Sequence, residues 1–569
     1  MDAHYDYIIK SGLIFDGKRN PRFKADIGIK NGVISKIGYL DGCNAERILN
    51  ADGLNVAPGF IDLHTHYDSQ IFWDSYCSSS GWHGVTTVFI GNCGFGFAPC
   101  RQSDRERAML TMSRVEAVPL ASMKAGLPWD WVSFPEFIGS IRRTKKSVNV
   151  AINVPLNPLM IWVMGLERAK AGVLPTDKEH QEMRSIVNEA MDAGAVGVSA
   201  QRFGVYSNQR DYDGTPMASD LMHDETMMAI ADTLRARDSG MIQYTYSDHG
   251  PLTSDLEQRV AANERARLHI EDVSLRSGRP ILFFPGEVNG AMEWTISCRD
   301  RGLRIYPQRY TALIRDLYAT LNIIDTASMF DHFYSWSQAT VGTVQEIKEK
   351  MSSPDVRKRI CAELHHNHPA EWVYLHSSTP NAARYSGMKL RDISGSSNTE
   401  ECIDTFCDIA ISDDLSTDWW VPYYTSANLA AYKSIVGDQY WIPGVSDGGA
   451  HTKYLNAGNF GTLFLITYVR EHGWISLEDA HYRLSGLPAH VANLASGRGT
   501  IALGAPADIV IYDYKTLSIS PQEKMLDYPG NEWRVADRGI GYRWVLVNGK
   551  IAIENDRETG VSAGQVVES

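Results

Sequence analysis

The chain is poor in the features that mark a secreted, membrane or nucleic-acid-binding protein. Its 569 residues hold only eight cysteines. They are scattered without regular spacing, which excludes a disulfide framework and leaves reduced thiols, individual ones available as metal ligands. No apolar run reaches the 18 or so residues that a membrane helix needs. Positive charge is also short: 55 Lys and Arg stand against 68 Asp and Glu, a net charge of -13. A nucleic acid or an anionic membrane needs a basic face, so neither is expected as a partner. The start, MDAHYDYIIKSG, lacks a charged segment followed by an apolar one, so no signal peptide is expected and the cytoplasm is the expected compartment. Solenoid-period repeats and low-complexity tracts are missing too.

What is present is ordinary globular material, 44% hydrophobic and 22% charged. The two ends share a grammar of short alternating strands. ADIGIKNGVISKIG turns on Asn31-Gly32, and YRWVLVNGKIAIEN turns on Asn548-Gly549. Asn-Gly between alternating apolar residues is a strong hairpin signal, because both positions tolerate positive φ. A small β-sandwich domain built from both chain termini, residues 1–57 and 495–569, follows from this reading. Between them, GFIDLHTH, VTTVFIGNC, VNVAINVP, AVGVSA, MIQYTYS, PILFFPG, LRIYPQ and WIPGVSD read as eight buried strands. Helical segments such as EHQEMRSIVNEAMDAG and DETMMAIADTLRARDSG lie between them. The pattern predicts an α/β fold, a (β/α)8 TIM-type barrel over residues 58–494. A large insertion at about 308–440 separates strands seven and eight. Its aromatic stretch DWWVPYY is expected in a lid.

Barrel enzymes work at the carboxyl ends of their strands, so the polar residues there carry the chemistry. Strand one ends in H-x-H, and residues two apart on a strand share a face, which aims His64 and His66 together. Strand two ends at Cys93, and strand eight leads into Asp447 and His451. Two imidazoles, a thiol and a carboxylate at one mouth are a donor set suited to zinc. Taken singly, Cys93 reads as a buried small residue and Asp447 as a turn cap. The run HHNH at 365–368 reads as solvated loop, and GNCGFG lacks the strand-to-helix pattern of a nucleotide loop.

PGFIDLHTHYD, HGVTTVFIGNCGFGFAP, AGLPWDWVSF, VMG, GVSDGGAH and GTIALGAPADIVIYD stand in the order found in the amidohydrolase superfamily. More narrowly, the chain resembles the N-acyl-D-amino-acid deacylases from about residue 5 to about 560. The resemblance implies that His64 and His66 bind metal. It further implies that Cys93 is a ligand in place of the usual carbamylated lysine, and that Asp447 accepts the proton of the attacking water. Histidines end strands five and six in those relatives. Here the places read YTYSDHG and LFFPGEV, where Tyr246 and Pro285 cannot substitute, leaving Glu287 and His249 as the remaining extra ligands to consider. Relatives also carry a histidine and an arginine shortly before VMG, where this chain has Leu156 and Met160.

The expected function is metal-dependent hydrolysis of a C–N amide bond in an N-acyl compound, with one zinc ion rather than two. His64, His66, Cys93 and Asp447 form the metal set, and Asp447 doubles as general base. Arg202, His451 and Trp420 are the expected substrate contacts. With Leu156 and Met160 removing two carboxylate partners, the expected partner is a small-molecule substrate that is a bulky, apolar or aromatic amide, and a homo-oligomer is compatible. Hydrolysis of a cyclic amide, imide or lactone, or a metal-dependent lyase reaction, would use the same centre. A non-catalytic scaffold would have no use for four metal-capable groups at three strand ends.

Overall fold

A computed structural model describes residues 4–207, 209–246, 256–284, 291–311, 317–331, 333–377, 380–424 and 429–569. All eight expected barrel strands form, in chain order: β1 Phe60–Asp62, β2 Val85–Ile90, β3 Asn149–Pro155, β4 Gly197–Arg202, β5 Met241–Tyr246, β6 Ile281–Phe283, β7 Ile305–Tyr310 and β8 Ile442–Gly444. Each pairs with its neighbour in parallel, so the barrel sheet runs from β1 to β8 in chain order. The strands read as nearly continuous apolar runs because a parallel barrel is covered on both faces. Inside, Ile61, Phe89, Ala151, Val196, Met241, Leu282, Tyr306 and Ile442 belong to one buried cluster, one residue from or beside each strand. Below the mouth the barrel is thus a packed core rather than a pore.

The intervening helices start where their sequences say. Thr176 and Glu179 form a reciprocal capping box at the start of Asp177–Asp192. The helix Asp224–Arg237 ends on Asp238 in the left-handed conformation.

Both chain ends enter one nine-stranded sheet. Asn55–Pro58 pairs antiparallel with Ile509–Tyr512, joining the strands from the start of the chain to those from its end. A separate apolar cluster covers this sheet, including Ile9, Ile27, Ile34, Val56, Ile509, Ile511 and Leu546. Both Asn-Gly hairpins form, with φ of 52° and 78° at Asn31 and Gly32 and 46° and 72° at Asn548 and Gly549. The turns also touch. A Cβ on Gly549 would sit 2.6 Å from the Cα of Gly32, so glycine is needed there for contact as well as for conformation.

The segment between β7 and β8 has a core of its own. Leu317–Leu321, Thr417–Tyr424 and Val373–Ser377 form a three-stranded antiparallel sheet with Thr417–Tyr424 in the middle. DWWVPYY, expected in a lid, is therefore this central strand. Trp419 is fully buried against Tyr374 and Phe406, with ring centroids 5.3 and 5.5 Å away, while Trp420 is 41% exposed. His365 and His368 are exposed, in keeping with the solvated reading of HHNH. No helix among the described residues is long and apolar enough to cross a membrane.

Candidate metal centre

The barrel closes just beyond the ends of β1 and β8, and that closure places the site. His66 N–H donates to the Gly448 carbonyl at 2.7 Å, and Asp447 N–H donates to the His64 carbonyl at 3.2 Å. Thr65 and Gly448 form a parallel bridge between them. Backbone hydrogen bonds thus hold His64, His66 and Asp447 in mutual register before any side chain is considered. Cys93 arrives from β2 in a left-handed turn (φ 54°), and Asp447 and His451 share that conformation at 46° and 55°. Val445, β-branched, has φ 47°. Non-glycine residues in this region cost of order 1–3 kcal/mol each, strain that collects at functional sites.

The side chains converge. The donor atoms of His64, His66 and Cys93 all lie within 4.8 Å of one another, and Cys93 Sγ is 3.2 Å from His64 Nε2. Asp447 Oδ1 stands 3.4 Å from His64 Nε2 and 3.7 Å from His66 Nε2. Donors on one tetrahedral zinc are about 3.3–3.6 Å apart, given bond lengths of about 2.0–2.3 Å. Burial drives His64 down to about 3, and burial with the neighbouring imidazoles drives His66 down as well, so both present neutral nitrogens. Burial, with the charges of Glu116 and Asp447, pushes the Cys93 thiol up. A cation among these groups would reverse that balance and favour the thiolate. The residues fit a soft-to-borderline metal.

Asp447 and Tyr310 form a second unit. The Tyr310 hydroxyl, at the end of β7, donates to Asp447 Oδ2. Burial raises the Asp447 carboxyl to about 6, with the tyrosine hydrogen bond opposing the shift. Thr245 and Gln243 of β5 support Cys93 instead of supplying an imidazole. Gln243 Oε1 accepts from Cys93 N–H at 2.7 Å, and Thr245 Oγ1 lies 3.6 Å from Cys93 Sγ.

One residue with no signal in the sequence stands beside the cluster. Glu116 follows the helix Arg105–Val115, is 1% exposed, and has Oε1 3.6 Å from His66 Nε2 and Oε2 3.5 Å from His451 Nε2. Burial and the charges of Asp447 and Asp68 push its carboxyl well up. No motif surrounds it in SRVEAVPL, and only the path of that helix brings it to the mouth.

These groups open on a cavity of about 190 Å³, lined also by Val115, Phe203, Gln209, Phe284 and Tyr454, with Ser328, Met329 and Asp331 from the insertion. His451 lines it. Arg202 does not: it is paired with Asp224 and lies over the Tyr246 ring, 4.9 Å from its centroid. Trp420 is likewise not among the lining residues. Leu156 and Met160 are buried in the helix Leu156–Met164 after β3. His249, Pro285 and Glu287 lie outside the described residues.

Fold and site together define a (β/α)8 barrel whose strand ends gather histidine, cysteine and carboxylate donors suited to a metal ion. The chain belongs to the amidohydrolase family, whose profile matches residues 47–553. It is 25% identical to the D-aminoacylase of Alcaligenes xylosoxydans xylosoxydans, covering 99% of this chain and 97% of that one. An N-acyl-D-glutamate deacylase of the same organism is 26% identical over 96% and 94% of the two chains. An uncharacterized Mycobacterium tuberculosis protein is 37% identical over 200 residues, 34% of this chain and 32% of that one. Among solved structures, a D-aminoacylase described as having a binuclear metal centre superposes with a TM-score of 0.66 at 21% identity, covering 99% and 100% of the two chains. N-acyl-D-glutamate deacylase from Bordetella bronchiseptica, with zinc and a phosphonate mimic of the tetrahedral intermediate, also gives 0.66 at 21% identity, covering both chains fully.

Proposed function

We propose that this chain is a zinc-dependent hydrolase that cleaves the C–N amide bond of a neutral, largely apolar N-acyl compound. The observation that carries the reading is the His64–His66–Cys93 cluster facing Asp447 across a closed barrel mouth. A zinc ion held by those three side chains would supply Lewis acidity, easing loss of a proton from water and polarising the scissile carbonyl. Asp447 is the proton carrier. Its Oδ1 faces the histidines, and the Tyr310 hydroxyl on Oδ2 fixes the carboxylate plane. It takes the proton of the attacking water and delivers it to the departing nitrogen, acting as base and then acid. Cys93 and the neutral histidines hold no proton that the reaction needs.

The cavity wall supports the choice of substrate. Among the described residues that line it there is no lysine or arginine, while Phe203, Phe284, Met329 and Tyr454 supply apolar and aromatic surface. A free carboxylate entering such a site would be desolvated without a cationic partner, which is costly. The deacylases that the chain resembles are named for N-acyl-D-amino acids, D-aspartate and D-glutamate among them. This pocket suits a substrate without the free acid. The test compares kcat/KM for N-acetyl-D-amino acids with that for aromatic amides of similar leaving-group pKa. The amides are expected to be turned over at least tenfold better. A tenfold advantage for the acetylated D-amino acids would refute the substrate reading, and turnover confined to cyclic imides or lactones would move the bond cleaved.

A further inference from the structure

Among the described residues, the wall of the cavity gathers more buried carboxyl groups than basic partners for them. Glu116, Asp447 and Asp331 line it, and among the described residues Asp331 alone of the three has a guanidinium partner, that of Arg114 at 2.6 Å. Glu116 ends the helix Arg105–Val115, where the carbonyl ends of the peptide dipoles disfavour an anion further. Yet its side chain is aimed with care. Its backbone N–H reaches Met112 O at 3.0 Å and its carbonyl accepts from His451 N–H at 2.6 Å, which fixes the residue from both sides. The next residue, Ala117, is left-handed at φ 50°. Both carboxylate oxygens then face imidazole Nε2 atoms at 3.5 and 3.6 Å, too far for good hydrogen bonds, and buried Oε1 has no hydrogen-bond partner among the described residues. Buried polar atoms are normally satisfied, so this one marks a missing partner. The 3.6 Å separation of Oε1 from His66 Nε2 is the spacing of two donors on one metal, and through His66 Glu116 adjoins the His64–His66–Cys93 group without belonging to its 4.8 Å cluster.

We propose that Glu116 is a carboxylate ligand of the metal gathered by His64, His66 and Cys93, and that His451 positions it, an inference that rests on the metal reading above. With Glu116 on the metal, Asp447 is left free to carry the proton. His451 faces the other oxygen of Glu116 through Nε2, while its Nδ1 lies 2.6 Å from the Tyr454 hydroxyl. The backbone bond from His451 N–H to the Glu116 carbonyl and the Tyr454 contact that fixes the His451 ring give the kind of outer support that orients ligating carboxylates. Ala117 and Tyr454 both belong to the apolar core of the insertion, so the inserted segment braces the two ends of this chain. Strands five and six need no histidine if the missing donor comes from the end of the helix Arg105–Val115 that follows β2.

The test is metal affinity, measured by competition with a chromogenic chelator for zinc and by the absorption of the cobalt(II)-loaded protein. The wild type is expected to hold about one equivalent. Glu116→Gln keeps the volume and removes a buried charge, so folding is preserved. It is expected to bind zinc at least a hundredfold more weakly and to change the visible cobalt bands while retaining the near-ultraviolet thiolate band from Cys93. His451→Gln should cost about ten- to a hundredfold in affinity, the usual effect of losing an orienting partner. If Glu116→Gln binds zinc within tenfold of wild type with an unchanged cobalt spectrum, Glu116 is not a ligand and the proposal falls alone. If the wild type itself binds no better than Cys93→Ala, the metal reading falls and this one with it.

Discussion

At the scale of single residues, Asp447 and Tyr310 divide the acid–base work from its support. In the proposed reaction Asp447 carries the proton, and Tyr310 holds the carboxylate that does so. Asp447→Asn is expected to lose on the order of a thousandfold in kcat with thermal stability near that of the wild type, because it keeps shape while ending proton transfer. Activity within tenfold of wild type would remove Asp447 from the chemistry, and a parallel loss of metal would reassign it as a ligand. Tyr310→Phe leaves the proton carrier in place and removes one hydrogen bond to it. A smaller loss, about ten- to thirtyfold in kcat at unchanged zinc content, is the expected outcome, in line with about 1.5–2 kcal/mol for a hydrogen bond to a charged group. A loss as large as that of Asp447→Asn would make Tyr310 a direct participant.

At the scale of elements, the insertion between β7 and β8 is a small domain in its packing. Trp419 in the central strand of its sheet sits among Tyr374, Phe406 and Leu415, all buried. Its removal leaves a cavity that this tightly framed strand cannot close. Trp419→Ala is expected to cost about 3–5 kcal/mol of the insertion's stability. The loss should appear as an early urea transition that precedes unfolding of the barrel. Trp420 stands next to it on the exposed face, and Trp420→Ala should shift that transition by less than about 0.5 kcal/mol. Equal effects of the two substitutions would contradict the alternation of the strand.

At the scale of the whole molecule, the joint between barrel and terminal sheet carries a titratable group. His481 is fully buried, 4.9 Å from the Phe15 ring, with Nε2 2.9 Å from the Tyr512 hydroxyl and Nδ1 without a hydrogen-bond partner among the described residues. Burial lowers it to about 3. The unfolded chain binds this proton below about pH 6.5 and the folded chain does not. Its contribution to stability is therefore complete above about pH 6.5 and is lost as pH falls toward 3, at about 1.4 kcal/mol per pH unit. His481→Gln keeps a polar side chain without the titration. At pH 5 it should take up about one proton fewer on unfolding than the wild type, measured from the slope of stability against pH. An unchanged slope would show that His481 is already accessible to protons in the folded protein.

The eight strands, both Asn-Gly hairpins and the gathering of His64, His66, Cys93 and Asp447 were legible from the chain alone, since period-two alternation, buried apolar runs and turn chemistry are local properties. The family resemblance rested on the same short stretches. Glu116 and Tyr310 were not legible. Glu116 sits in an unmarked helix end, and Tyr310 lies two residues past LRIYPQ, where the strand was taken to stop. The partners that give them their roles lie far off in the chain, Asp447 for Tyr310 and His66 and His451 for Glu116. Arg202 had the right position at a strand end, but Asp224, at the start of the next helix, claims its guanidinium. DWWVPYY was read by its aromatic content as a lid, whereas pairing with Leu317–Leu321 and Val373–Ser377 makes it a core strand. Local sequence determined which elements form and which donors end the strands. Tertiary structure decided which charges are left unpaired around the cavity, because a buried carboxylate's partner is set by long-range packing that no local pattern encodes.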